Sequence, residues 1–352
     1  MTSNIIRVPA EMLFEEETVA EQQSIETMKE QPKYVIHIIW RYVMLFLYLH
    51  IASLYGIYLA FTSAKLVTVI FAILLYQISC FGITAGAHRL WSHRSYKAKW
   101  PLRLLLVILN TTAFQNSVID WAKDHRIHHK YSDTDADPHN SNRGFFFSHM
   151  GWLLCRKHPE VMKKGKAIDI SDLKSDPMLV FQKKYYALLM PLMCFILPTV
   201  IPVVCWNETW TNAYFIPTIL RYIFTLNVTW LVNSAAHFFG NKPYDKYIKA
   251  SQNKSVAIMI SGEGWHNYHH VFPWDYKTAE YGNYSFNITT AFIDFFAKIG
   301  WAYDLKSTSE DMVRKRVEKT GDGSHDLWGW GDNDQTQEER NQMIVTYNSA
   351  KD

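Results

Sequence analysis

Cysteine is scarce in this chain: only Cys80, Cys155, Cys194 and Cys205 occur among 352 residues. Their spacing contains no paired Cys-x-x-Cys motif, which argues against a disulfide framework and against a cysteine zinc site. Three of the four lie in apolar runs, where cysteine usually acts as a small hydrophobic side chain. Whatever chemistry the protein performs therefore has to come from other residue types.

A cleavable signal peptide is also missing from the N-terminal region. Residues 1–33 contain seven glutamates and no apolar stretch of the length that a signal peptide needs. We expect residues 1–33 to form a mobile acidic tail, residues 34–325 to fold as one domain, and residues 326–352 to form a C-terminal tail. The sequence contains no internal repeat and no low-complexity tract.

Long apolar runs, in contrast, are abundant, and 48% of the residues are hydrophobic. A bilayer core of about 30 Å is crossed by roughly 20 helical residues. Four segments meet this length, at about 36–61, 66–87, 185–206 and 213–239. We therefore expect an all-α integral membrane protein in which four transmembrane helices carry a helical cap, formed by residues 88–184 and 240–325.

Lysine and arginine indicate the orientation of these spans, because they are retained on the cytosolic side of a membrane. The short turn 61–66 has one lysine and the turn 206–215 has none, whereas the stretch 89–184 is rich in both. We predict that the turns are lumenal and that the cap and both termini are cytosolic. A further apolar run at 101–114 is too short to cross, and it is typical of a helix that lies at the membrane interface.

Histidine is concentrated in three short motifs, which hold eight of the fifteen histidines. They are "HRLWSH" (His88, His93), "HRIHH" (His125, His128, His129) and "HNYHH" (His266, His269, His270). In the second and third motifs, the spacing i, i+3, i+4 places the rings on one helical face. In the first, an i, i+5 pair lies about 140° apart on a regular α-helix. Those two rings either serve different ions, or the helix ends between them.

His237 is a ninth candidate ligand, because it lies at the cytosolic end of the fourth span, where ionisable groups usually face a functional interior. Asn233 precedes it by one turn and could reach a metal through water. Nine imidazoles exceed the three or four protein ligands of a zinc site and suit two ions. The acids Asp124, Asp133, Asp135, Asp137 and Glu263 are expected to accept hydrogen bonds from ligand histidines.

At these motifs the sequence resembles the membrane-bound fatty acyl-CoA desaturases of the stearoyl-CoA desaturase type, above all those of insects. The resemblance spans about residues 35–325 and includes "GAHRLWSH", "DHRIHHKYSDTDADPHN", "LVNSAAHFFGNKPYD" and "GEGWHNYHHVFPWDY". It implies four membrane helices with a cytosolic cap and a di-iron centre. It also implies use of O2 and two electrons to remove two hydrogens from adjacent carbons of an acyl-CoA chain.

The resemblance assigns roles to individual residues as well. The nine histidines and Asn233 match the family's metal ligands, with Asn233 acting through water. The substrate matches fall in three places: the kink of an acyl tunnel (Gln115, Trp121, Thr229, Trp230), the CoA head group (Asn116, Lys123, Asp124, Arg156, Lys157) and the closed end of the tunnel (Tyr76, Cys80). A cysteine at position 80 is expected to shorten that closed end.

The electrons must come from a partner, since the sequence contains neither a Gly-x-Gly-x-x-Gly nucleotide loop nor the His-Pro-Gly-Gly of a fused cytochrome b5 domain. The resemblance implies cytochrome b5 with its NADH-dependent reductase, in the endoplasmic reticulum membrane, and no nucleic acid. Double-bond position 9 with cis geometry is favoured, with position 11, as in pheromone synthesis, as the alternative. An oxygen-inserting hydroxylase or alkane monooxygenase and a metal transporter are the weaker alternatives.

Overall fold

The computed structural model describes residues 34–329 and 336–342. The expected acidic tail, residues 1–33, and most of the expected C-terminal tail lie outside these ranges. The chain divides into two units, Met1–His37 and Ile38–Asp352. The described part of the first unit, residues 34–37, contains neither helix nor strand, and every feature discussed below belongs to the second unit.

Four helices in the described residues are long and apolar enough to cross a membrane, as predicted. The first span is Trp40–Thr62, the second is Leu66–Ser92, the third is Tyr186–Trp206 and the fourth is Trp210–Phe238. The second span continues five residues past its predicted end, and the first begins four residues late. The mostly helical fold with four candidate spans is thereby confirmed.

Three of the spans contain π-helical segments, in which the backbone amide bonds to the carbonyl five residues earlier. The second changes from an α-helix (Leu66–Phe81) to a π-helix (Gly82–Ser92). The third comprises Tyr186–Pro191, a π-helix Leu192–Ile196 and Leu197–Trp206. The fourth comprises Trp210–Tyr214, a π-helix Phe215–Leu220, Arg221–Asn233 and Ala235–Phe238. Pro191 and Pro217 lie beside or within two of these segments, where a missing backbone amide disturbs the α-helical ladder.

Two cap helices, Trp100–Ala113 and Val118–Tyr131, form a bent pair with an angle of 82°. The bend uses left-handed backbone at Phe114 and Asn116, with φ of 47° and 72°, and the Ser117 hydroxyl caps the second helix by accepting from the Asp120 amide. Trp100, Leu104 and Ile108 form an exposed apolar stripe on the first helix, while its other face is buried. This division agrees with the expected position at the membrane interface.

The rest of the cap consists of short elements. They are the helices Phe145–His149, Pro159–Gly165, Ser171–Lys174, Pro177–Lys184, Lys254–Met259, His266–Val271, Ile288–Lys298, Glu310–Thr320 and Gln337–Gln342, the 3-10 turns Ser141–Arg143, Gly151–Leu153 and Tyr284–Phe286, and the strands Lys97–Ala98 and Ala302–Tyr303. The two strands pair antiparallel. A buried cluster that includes Leu102, Leu106, Ile119, Leu173 and Ile293 packs the bent pair against these elements, which holds the HRIHH helix in place.

Candidate metal centre and adjoining cavity

The structure gathers the nine predicted histidine ligands into two adjacent groups. The first group contains His88, His93, His125, His129 and His269, and the second contains His128, His237, His266 and His270. Within each group, one possible ligand atom per residue lies within 4.8 Å of all the others. The groups are neighbours, since the rings of His129 and His270 stack with their centroids 4.3 Å apart.

The Nε2 atoms point inward in both groups. In the first, Nε2 of His269 lies 3.0 Å from that of His88 and 2.9 Å from that of His129. In the second, Nε2 of His266 lies 3.0 Å from the Nε2 atoms of both His237 and His270. Metal–nitrogen bonds of about 2.1 Å at right angles place two ligand nitrogens about 3.0 Å apart. The donor positions therefore fit one metal ion in each group.

The π-helix explains how His88 and His93 join the same group. The His93 amide donates to the His88 carbonyl over 3.1 Å, so five residues make about one turn here. The two rings lie 4.9 Å apart between centroids. The π-helix ends at Ser92, so the alternative that the helix ends between the two histidines is confirmed. The other alternative, two different ions, is not supported, since both rings lie in the first group.

Three of the histidines have a carboxylate beside Nδ1, the ring nitrogen that points away from the centre of the group. One of these histidines belongs to the first group and two belong to the second. Nδ1 of His88 is 3.0 Å from Glu263, Nδ1 of His128 is 2.9 Å from Asp137, and Nδ1 of His237 is 3.5 Å from Asp133. Such contacts orient a ligand ring and increase its basicity. Three of the five predicted acceptor acids therefore approach these rings, whereas Asp135 is exposed and Asp124 pairs with Lys157 at 2.5 Å.

Electrostatics keep most of these imidazoles neutral. Burial, and then the charges of neighbouring histidines, hold the pKa well below its usual value for His93, His125, His129, His266, His269 and His270. Burial also lowers the pKa of His128, but the Asp137 and Asp133 carboxylates together outweigh it and raise that pKa overall. A neutral imidazole is the form that binds a metal, so the donor set suits metal ions.

A cavity of about 700 Å³ adjoins both groups. His88 and His125 of the first group, and His266 of the second, contribute to its wall together with Asn233. Most of the remaining wall is apolar, and it includes Phe46, Leu49, Ile83, Phe114, Phe195, Ile219, Tyr222, Leu226, Val232 and Ile260. The volume and lining are typical of a site for a small apolar ligand.

Eight of the eleven predicted substrate residues line this cavity: Gln115, Asn116, Trp121, Asp124, Arg156, Lys157, Thr229 and Trp230. Gln115 Nε2 donates to the Thr229 hydroxyl over 3.0 Å, which connects the bent helix pair to the fourth span. The Trp121 ring stacks on His125, with centroids 5.0 Å apart.

Lys123 is not part of the cavity wall. Trp121, Asp124 and His125 share one face of their helix at spacings of three and four residues, whereas position 123 faces away. Its side chain lies beside Gly165 instead, on a neighbouring helix. Its predicted place at the head group therefore finds no support in the cavity lining and stays a prediction.

Tyr76 and Cys80 lie behind the wall rather than on it. Both belong to a hydrophobic cluster with Val232 and Ile260, two residues that do line the cavity, and Cys80 has no exposed surface. The Tyr76 hydroxyl donates to the Met259 carbonyl. Neither residue is part of the cavity wall, and their place at the closed end of an acyl tunnel stays a prediction.

Two residues of the site were not predicted from the sequence. His139, which was not among the predicted ligands or substrate residues, lines the cavity and groups with His128 and Asp137, and burial lowers its pKa to about 3. Arg89 is fully buried and donates to Glu263, 2.9 Å away, the same carboxylate that lies beside His88. The only sequence signal for either was its position inside a histidine-rich motif.

Comparisons with known proteins agree with this site. The sequence model of the family described as "Fatty acid desaturase" matches residues 63–285. The chain is 62% identical to an acyl-CoA Delta-9 desaturase of Acheta domesticus, over 98% of each chain. It is also 55% identical to an acyl-CoA Delta(11) desaturase of Trichoplusia ni, over 97% of this chain and 98% of the relative, and 54% identical to an acyl-CoA Delta12-desaturase of Acheta domesticus, over 98% of each. The chain therefore belongs to the fatty acid desaturase family and is an oxidoreductase enzyme.

Proposed function

We propose that the protein is an acyl-CoA desaturase that introduces a cis double bond at position 9 of a saturated acyl chain. The observation that carries this proposal is the convergence of nine imidazoles into two adjacent groups on the wall of an apolar cavity. The proposal includes two iron ions as the metals, since imidazole ligands suit iron as well as zinc and zinc has no redox chemistry. The relatives named above are acyl-CoA desaturases, which supports the choice of substrate.

An unactivated methylene offers no leaving group and no acidic proton, so neither general acid–base nor nucleophilic catalysis can begin the reaction. The two ions would supply the O2 and electron chemistry. This chain's residues would bind the ions and hold one pair of carbons beside them, since positioning alone can lower a barrier by roughly 7–11 kcal/mol. The hydrogen-bonded pair Gln115 and Thr229, together with Trp121, lines the cavity and is suited to that positioning.

The other end of the cavity is suited to a CoA head group. Arg156 and Lys157 supply positive charge there, and Asn116 and Asp124 supply polar groups. Arginine and lysine are the common partners of phosphate. Lys157 already pairs with Asp124 at 2.5 Å, so a bound head group would join or replace that ion pair.

The only support for a double bond at position 9 is the percentage of sequence identity with the relatives. The Delta-9 relative is 62% identical to this chain, whereas the Delta-11 and Delta-12 relatives are 55% and 54% identical. Positions 11 and 12 are therefore the alternative outcomes of the experiment below.

The setting proposed for this reaction is the endoplasmic reticulum membrane, with both termini and the cap in the cytosol. Electrons would come from cytochrome b5 and its NADH-dependent reductase. The distribution of lysine and arginine between the spans supports this orientation. An acidic electron carrier would be attracted by the basic side chains of the cap.

The test is expression in a desaturase-deficient yeast, followed by gas chromatography and mass spectrometry of double-bond adducts. We expect monounsaturated chains with the double bond at carbon 9 from the parent and none from His269→Ala. His158→Ala removes a histidine outside both groups and should behave as the parent does. Hydroxylated chains would indicate the hydroxylase, and unchanged lipids from a well-expressed parent would contradict the proposal.

A further inference from the structure

A long acyl tail can reach the cavity by two routes. Passing tail-first through the cytosolic mouth exposes the methylenes of the tail to water, which becomes more unfavourable with each methylene exposed. Sliding sideways out of the bilayer avoids this cost, because the tail stays in an apolar environment. The second route requires an opening between two spans.

Such an opening lies along the first span. Leu45 and Tyr48 line the cavity, yet their side chains are 47% and 50% exposed. The histidines on the opposite wall are closed off, with His88 and His266 only 5% and 2% exposed. Because Leu45 and Tyr48 belong to a membrane-spanning helix, the exposed side of the opening faces hydrocarbon.

Phe195 of the third span and Tyr214 of the fourth also line the cavity. Tyr48 and Tyr214 approach each other with their hydroxyl oxygens 3.5 Å apart, which is longer than a normal O–H···O hydrogen bond. Breaking this contact would therefore require little free energy.

The first span is fixed more firmly at other places. Its helix approaches the fourth span so closely at Gly56 that an added Cβ would lie 2.4 Å from the Phe215 carbonyl oxygen. His50 pairs with Asn227 at 3.2 Å, and the Ile39 amide donates to Leu154 over 2.7 Å beside the head-group residues. These contacts lie on either side of the Leu45–Tyr48 stretch. Within the stretch, Phe46 packs edge-on against Trp230 with ring centroids 5.6 Å apart, whereas Tyr48 has the weak hydroxyl contact with Tyr214.

We propose that the gap bounded by Leu45, Tyr48, Phe195 and Tyr214 is a lateral portal, through which the acyl tail passes between the bilayer and the cavity. The head group remains at Arg156 and Lys157 during this passage, since Ile39 and Tyr42 continue the same cavity wall towards them. This inference rests on the proposed acyl-CoA substrate. Its occupant is the substrate's own tail, which needs an apolar path of this kind.

The test measures the association rate, the dissociation rate and the Kd of radiolabelled stearoyl-CoA with the protein in lipid nanodiscs. Leu45→Trp fills the gap and should slow both association and dissociation at least fivefold while the Kd changes less than threefold. Leu45→Ala widens the gap and should accelerate both rates. Leu47→Trp is the matched control, because Leu47 lies on the same helix, is 51% exposed and does not line the cavity; it should leave both rates unchanged.

Octanoyl-CoA distinguishes two explanations for slow binding by Leu45→Trp: a closed lateral portal and a blocked cytosolic mouth. Its short tail costs less to expose, so Leu45→Trp should reduce its association rate less than twofold. Unchanged stearoyl-CoA rates in Leu45→Trp, equal slowing by Leu47→Trp, or equal slowing of both substrates would overturn the portal. A parent protein that binds no acyl-CoA at all would instead refute the proposed function.

Discussion

Among single residues, Glu263 connects the buried charge of Arg89 to the candidate metal site. One carboxylate oxygen accepts from Arg89, and the other lies 3.0 Å from Nδ1 of His88. The Arg89 guanidinium also donates to Asn287, Thr290 and the Tyr276 carbonyl. Arg89 therefore fixes the carboxylate that orients a ligand ring, and the arginine depends on the same carboxylate for its counter-charge.

Glu263→Gln should weaken both functions of this carboxylate. Removing one partner of a buried ion pair costs about 3–5 kcal/mol, and losing an orienting group lowers metal affinity by roughly 10–100-fold. Thermal unfolding and metal content of the purified variant measure the two effects. Glu280→Gln is the control: Glu280 pairs with His325 and Tyr244 away from both histidine groups, so that variant should keep its metal. Full metal content in Glu263→Gln would contradict this role.

The sequence identified the candidate ligands and three of the carboxylates beside them, but not the arginine that pairs with one of these carboxylates. The HxxHH motifs place three rings on one helical face, and the structure brings those rings together. The Arg89–Glu263 pair joins positions 174 residues apart, and nothing in a single sequence connects two such distant charges. Lys123 and Asp124 show the same limit, because adjacent residues on a helix point in different directions and only one of them lines the cavity.

The π-helix Gly82–Ser92 is the element that completes the first histidine group. α-Helical spacing would separate His88 from His93 by about 140°, whereas the π-helical turn brings their rings within 4.9 Å. Hydrophobic periodicity predicted the second span as a helix but could not distinguish the two helix types. The extra turn to Ser92 was missed for the same reason.

Gly82→Ala should displace this element. An added Cβ would lie 2.2 Å from the Asn110 amide nitrogen and 2.3 Å from the Leu109 carbonyl carbon, and backbone atoms cannot yield as a flexible side chain can. We expect a loss of stability of about 1–3 kcal/mol, as for other overpacked cores, together with reduced metal content. Gly86→Ala in the same π-helix meets only side-chain atoms, the nearest 3.2 Å away, and should be much milder. Equal stability of the two variants would contradict the close packing of this element.

At the scale of the whole molecule, apolar length alone identified the four spans, because hydrocarbon thickness sets a minimum helix length. The cavity that runs between the spans and the cap could not be predicted in this way, since it depends on which faces of distant helices meet. Sidedness remains a prediction. It follows from lysine and arginine placement, and it decides on which side of the membrane substrate and electrons arrive.

Cysteine labelling in sealed microsomes measures this sidedness. Cys80, Cys155 and Cys194 are buried, so Cys205→Ser removes the one exposed thiol among the four cysteines, all of which the structure describes. In that background, Ser171→Cys on the cap should react with a membrane-impermeant maleimide in intact vesicles. Thr211→Cys, within the 206–215 turn, should react only after permeabilisation; the reverse pattern would invert the topology.

The metal content of the purified parent protein tests the central claim most directly. The claim is that two adjacent histidine groups, with five and four imidazoles, each bind one iron ion. Inductively coupled plasma mass spectrometry should find two iron atoms per chain after expression in iron-replete cells. A content of one metal per chain, or of zinc in place of iron, would contradict the account.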